Sequence, residues 1–338
     1  MSTSKWIFTI ISFLSIASET FAEDLFEYRL RRFETTNQLD LCNSKVKALS
    51  AEFAAATGVA IISASCRFQE HDEKYLLGVI SYSAEAKVDI STVMSPYGDG
   101  ANDFAIYDSL EGCEADQSRQ LAFFKIATGL DPFVAYCYAD SNGTRRRHGL
   151  QIDALGKSEV RQFVGGLGIV SDIAAPNDHF FQSIADRMVA IGATVSDVRF
   201  SRAYSWNQIR INYYAKQRLS IESNFSLKFE SADACKVELN RVNSVFMEAD
   251  PRFIATYCEV GNGLNGNRLA VATAMPMEES LDHVYKLHML DSSYPTRVAC
   301  ESDLPRINEL LANRGLKAIA TICGLNQRQF AVHTFLKN

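Results

Sequence analysis

Beyond its first two dozen residues the sequence has no apolar run long enough to cross a bilayer, which takes about 20 residues in a helix. It has no Cys-x-x-Cys or His-x-x-x-His element, the tight spacing from which zinc sites draw two ligands, and its 6 histidines do not recur at matching positions. A Gly-x-Ser-x-Gly elbow, a His-Glu-x-x-His helix, a Walker loop and a dinucleotide fingerprint are all missing; Gly165-Gly166-Leu167-Gly168 lacks the third glycine. Asp178-His179 and Asp282-His283 are adjacent acid and imidazole pairs, but sequence neighbours seldom face each other, so both read as surface pairs. Positive charge is not in excess: Lys+Arg 34 against Asp+Glu 40 leaves a formal charge of -6 and a pI near 5.6. That balance disfavours nucleic acid and an anionic membrane surface as partners. Together these absences predict no metal and no cofactor. They leave enzymatic activity open, with a non-enzymatic reading preferred.

What is present begins with an export signal. Lys5 precedes an apolar run from Trp6 to Ala17, and Thr20-Phe21-Ala22 follows with small residues at both ends of the triplet. This predicts a signal peptide over residues 1–22 and a mature chain from Glu23, with no cysteine after the cleavage site to carry a lipid. The expected product is exported, periplasmic or secreted, with no integral membrane segment after cleavage.

The chain has 8 cysteines in four pairs of nearly equal separation: Cys42 and Cys66, Cys113 and Cys137, Cys235 and Cys258, Cys300 and Cys323. Separations of 24, 24, 23 and 23 residues mark a repeat. After the first cysteine, Val46, Leu49 and Phe53, then Leu239, Val242 and Phe246, then Leu304, Ile307 and Leu311, fall on one face of a helix. A short β-rich run then returns to the second cysteine. A helix of about 14 residues advances roughly 21 Å and eight extended residues cover roughly 26 Å, so the second cysteine comes back beside the first. The predicted bridges are therefore Cys42–Cys66, Cys113–Cys137, Cys235–Cys258 and Cys300–Cys323, which oxidising compartments preserve. Each closes a loop worth roughly 3 kcal/mol of chain entropy.

The interval between Cys137 and Cys235 holds a further copy without a bridge. Asn177 and Phe200 occupy its cysteine slots, with Phe181, Ile184 and Met188 on the helix face and Phe200 expected to pack where a bridge would lie. A strand candidate precedes each helix and a hairpin strand follows each second cysteine. The fold expected is α+β: a tandem array of five βαββ repeats, each a small, mostly antiparallel sheet with one helix, four of them disulfide-bridged. Boundaries fall at 23–84, a linker at 85–103, then 104–157, 158–217, 218–278 and 279–338. The second repeat's first strand is expected at Phe104 to Leu110. Neighbouring repeats are expected to share surfaces, although an odd number of repeats argues against strict pairing into larger sheets.

In element order the repeat is similar to metal-dependent enzymes of the vicinal oxygen chelate class, whose His and Glu ligands have no counterpart here. It is also similar to polypeptide-transport-associated repeats, which carry two helices each, and to sporulation-related repeat domains, which differ in element count. No family is assigned.

Two surface groups are candidate binding residues. Arg145, Arg146, Arg147 and His148 on the second repeat's hairpin suit a phosphate, carboxylate or polyanionic glycan, or protect a sheet edge from strand addition. Tyr204 and Trp206 on the third repeat's hairpin suit an aromatic anchor, although such side chains are usually packed. The function expected is that of an exported non-enzymatic repeat protein binding a protein or cell-envelope glycan, with an exported hydrolase, its site at a repeat junction, as the alternative.

Overall fold

A computed structural model describes residues 24–69, 72–95, 107, 109–140, 147–169, 172–173, 178–203, 206–260, 266–279, 284–290 and 292–337. The chain forms two compact bodies, one of residues up to 31 with 36–88, the other of residues 32–35 with 89–338.

The first body carries the first repeat, except for the last four residues of its first strand: β1 (Asp24–Thr35), α1 (Leu39–Thr57), β2 (Ala60–Gln69) and β3 (Asp72–Ala84). Its sheet order is β1-β3-β2, so the hairpin's last strand lies between the two that flank the helix. Tyr28 stacks on Phe53 at 5.1 Å, and Phe53 meets Tyr82 edge-on, which fixes the face of the sheet that α1 covers. Gly58, at φ 73°, closes α1 in the left-handed conformation that glycine adopts without a Cβ penalty.

The second body repeats this plan four times. It contains β4 (Ile90–Ser95), α2 (Leu110–Thr128), β5 (Pro132–Asp140) and β6 (Arg147–Leu155), then β7 (Arg161–Ile169), the two-residue β8 (Asp172–Ile173), α3 (Asp178–Ala190), β9 (Thr194–Ala203) and β10 (Trp206–Ala215). There follow β11 (Leu219–Phe229), α4 (Ala232–Ala249), β12 (Phe253–Val260) and β13 (Asn267–Pro276), and finally β14 (Tyr285–Met289), α5 (Arg297–Asn313), β15 (Ala318–Asn326) and β16 (Gln329–Lys337). Each repeat again places its last strand centrally: β4-β6-β5, β7-β10-β9, β11-β13-β12 and β14-β16-β15. The architecture is the α+β array of βαββ repeats.

All four bridges are within repeats, with Cα atoms 6.0 or 6.1 Å apart. Ser109, Ser231 and Thr296 cap α2, α4 and α5, each accepting from the backbone N–H three residues on. The first cysteine thus sits one turn inside the helix. In the third repeat α3 is described over Asp178–Ala190, 13 residues, against 19, 19, 18 and 17 for α1, α2, α4 and α5. Asn177 lies outside the described residues. Phe200 is 36% exposed, so it does not fill a buried bridge position; Ile184 and Met188 make that core instead.

Two further expectations are corrected. The segment 85–103, read as a linker, contains β4, which pairs with β6 as the second repeat's first strand; of the strand expected at Phe104 to Leu110, residues 104–106 and 108 lie outside the described residues, Tyr107 forms an isolated bridge to His148, and Leu110 belongs to α2. The fourth and fifth repeats fuse, because β11 pairs with β15 at Lys228 and Leu325, and β8 adds to β12, giving a seven-stranded sheet.

Within the second body each helix before the last packs on its own sheet and also on the next repeat. Phe124 on α2 meets Tyr214 of β10, Phe180 on α3 meets Tyr257 of β12, and Phe246 on α4 meets Phe335 of β16. A bulge between Ser223 and Phe225 lets β11 serve two cores: Leu219 and Ile221 join the third repeat's core, and Phe225, Leu227 and Phe229 join the fourth's. Gly165 on β7 makes room for Ile221, whose Cδ1 would clash with a Cβ there. The glycine run is thus a packing device. Among the described residues no helix is long and apolar enough to cross a membrane.

Candidate functional site between the last two helices

A concavity in the second body lies between α4 and α5. Arg241, Val242 and Val245 form one wall, Asn308, Leu311 and Ala312 the other, and Leu316 to Thr321, entering β15, the floor. Its volume is about 430 Å³, within the usual range for small-ligand sites.

Helix periodicity places these residues. Val242 and Val245 flank the buried Phe246 stripe of α4, and Leu311 ends the buried stripe of α5. The polar groups are fixed by the junction itself. Arg241 donates through Nε to Glu238 Oε1 at 2.8 Å and through Nη2 to the Thr321 carbonyl at 2.8 Å. Glu238 is buried and also faces Arg297 at 3.5 Å, so its charge is compensated from two helices. Thr321 donates to Asn308 Oδ1 at 2.8 Å, tying β15 to α5. Lys317 is exposed at the groove's edge. The result is an apolar trough with two cations at its rim. No lining residue is a carboxylate, imidazole or thiol, so the lining offers binding groups and no general base.

A smaller groove of about 320 Å³ lies at the junction of the second and third repeats, lined by polar residues including Ser91, Ser158 and Gln162. Ser91 donates to the Gly156 carbonyl and accepts from the Ser158 N–H, so its hydroxyl is already committed.

The sequence-predicted residues lie elsewhere. Arg145, Arg146 and Tyr204 fall outside the described residues. Arg147 begins β6 opposite Asp140, and Trp206 begins β10 opposite Ala203, which places both at hairpin ends. His148 is half-buried and exchanges backbone hydrogen bonds with Tyr107 at 3.0 and 3.2 Å. Asp178 and His179 are exposed at the start of α3, and Asp282-His283 lies outside the described residues. Among the described residues no cluster of three or more His, Cys, Asp or Glu side chains is placed to hold a metal ion.

Sequence reasoning missed Arg241 and Lys317 as rim cations. One signal was available for the first: an acid three residues and an arginine six residues after the first cysteine recur as Asp116 and Arg119, Glu238 and Arg241, Asp303 and Arg306. No protein-family model matches the chain, no curated protein matches it, and no solved structure matches it.

Proposed function

We propose that the chain is an exported, non-enzymatic repeat protein that binds a polypeptide partner through the groove between α4 and α5. The observation that carries this reading is the pairing, in one trough, of Val245, Leu311, Leu316 and Ile319 with the cations Arg241 and Lys317. An acidic segment with large apolar side chains complements both features. Burying two such side chains contributes ~3–6 kcal/mol, part of which is lost in ordering the peptide. Four disulfides, together with the N-terminal signal pattern, support export.

The test is fluorescence polarisation of the mature protein with a labelled peptide of alternating Asp and Leu, against one of alternating Lys and Leu. The acidic peptide is expected to saturate, and Lys317→Glu and Val245→Asp each to weaken it ~10-fold, equivalent to about 1.4 kcal/mol. Peptidoglycan sacculi form the glycan arm. Saturable co-sedimentation with sacculi that both substitutions leave unchanged would replace the peptide reading by a glycan one. Turnover of generic ester or peptide substrates, lost in His179→Ala, would replace it by the hydrolase.

A further inference from the structure

Every junction inside the second body uses one device. Arg119 of α2 donates through Nη1 to the Ser196 carbonyl of β9 at 2.7 Å, Arg187 of α3 through Nε to the Phe253 carbonyl of β12 at 3.1 Å, and Arg241 of α4 to the Thr321 carbonyl of β15 at 2.8 Å. In each case a helix arginine holds the backbone of the next repeat's second strand near its start. An apolar side chain accompanies it: Phe123, Phe180 and Val245 lie on the same sides of the three helices, as their spacing from the arginines requires.

The last helix carries the same equipment. Arg306 stands six residues after Cys300, as Arg119 does after Cys113. Asp303 takes its Nε and Nη2 at 2.6 and 2.7 Å, just as Asp116 takes the Nε and Nη2 of Arg119. Tyr294 donates to Asp303 at 2.5 Å and Tyr107 to Asp116 at 2.7 Å, so each acid is braced by the strand-side tyrosine nine residues before it. Arg306, the counterpart of the residue that reaches Ser196 through Nη1, leaves 63% of its side chain exposed. Leu310, in the place of Val245, is 46% exposed.

The complementary surface is open as well. In the second body the strand starts that receive an arginine are buried, at Val195, Ser196, Ile254, Ala320 and Thr321. The corresponding start of β2 in the first repeat is not: Ile62, third in its strand as Ser196 is in β9, is 59% exposed, and Ser63 beside it is exposed. β2 is also an edge strand, so its outer backbone groups are available.

We propose that the chain associates head to tail, with the Arg306 and Leu310 side of α5 in one copy seated on the start of β2 in a second copy. The occupant is specified by the three internal junctions, which show what this kind of helix side receives: the second strand of another βαββ repeat. Because the two surfaces differ, the contact is heterologous, and a pair of copies keeps one α5 surface and one β2 surface free for further addition.

Sedimentation velocity of the mature, disulfide-intact protein, from micromolar to millimolar concentration, tests this. The weight-average mass is expected to climb past a dimer. Arg306→Glu and Ile62→Asp are each expected to abolish the climb, and mixing these two variants to restore a one-to-one complex that stops at the dimer, since each supplies the surface the other lacks. Leu310→Asp and Ile62→Lys are a second pair, and equal thermal midpoints establish that the variants fold. A wild type monomeric throughout, a folded single variant that still climbs, or a mixture that stays monomeric would each overturn the proposal.

Discussion

The junction between the second and third repeats and the junction between the fourth and fifth share a geometry and differ in chemistry. At the first, the face of the third sheet turned towards α2 carries Gln208, Arg210 and Asn212, all buried, beside Asp197 and Arg199, and α2 adds Asp116, Arg119 and the buried Gln120. At the second, Phe335 lies 4.8 Å from both Phe225 and Phe246, edge-on to each, and Ile322 completes the cluster. A polar junction contributes little net stability, because desolvation offsets the attraction between its charges. An apolar one contributes in proportion to the area it buries. The same helix-on-sheet stacking therefore serves as a registering contact in one place and as a stabilising core in the other.

The largest effect that would break this contrast is expected from Phe335→Ala. Its side chain is 1% exposed and touches two further rings, so the cavity should cost about 3–5 kcal/mol, read as a lower urea midpoint with disulfides intact. A loss under about 1 kcal/mol would show that the fourth and fifth repeats are held by their backbone pairing and not by this core.

How much of this was legible in the sequence follows from which interactions are local. Cysteine spacing determined the length of helix and return strand, so the four pairings and the βαββ order could be read directly, and the hydrophobic positions of α1, α4 and α5 followed from the 3.6-residue period. The bridgeless copy was visible through Ile184 and Met188, which the 3.6-residue period places on one helix face, whereas nothing in the spacing marked Phe200 as exposed. β4 escaped because six residues of mild alternation resemble a loop. Fusion of the last two sheets rests on one residue pair, Lys228 with Leu325, and such edge pairing leaves no pattern in either strand. Arg241 and Lys317 form one rim from distant positions in the chain, and only alignment of the repeats on their cysteines exposes the arginine.

Two carboxylates sharpen the comparison through opposite responses to acid. Asp250 belongs to the apolar junction: it accepts from Tyr285 of β14 at 2.5 Å and from Arg252 at 2.9 and 2.8 Å. Burial works against its charge, but the Arg252 and Tyr285 hydrogen bonds outweigh it and hold the carboxyl at about 2, below the ordinary 3.8. The unfolded chain therefore binds a proton first as pH falls. Stability from Asp250 is complete above 3.8 and is lost as pH drops towards 2, so Asp250→Asn should cost on the order of 1–2 kcal/mol at neutral pH and remove that acid-labile part. Asp197 in the polar junction is pushed the other way, because burial outweighs its attraction to Arg199, Arg119 and Arg210. The folded state binds the proton first there, so stability rises as pH falls through the folded value and levels off below 3.8. Asp197→Asn is expected to change neutral-pH stability by no more than about 0.5 kcal/mol and to abolish this small acid gain. Urea unfolding at stepped pH distinguishes the two carboxylates. If Asp197→Asn proved as costly as Asp250→Asn, the polar junction would be a stabilising ion network, and the contrast between the junctions would fail.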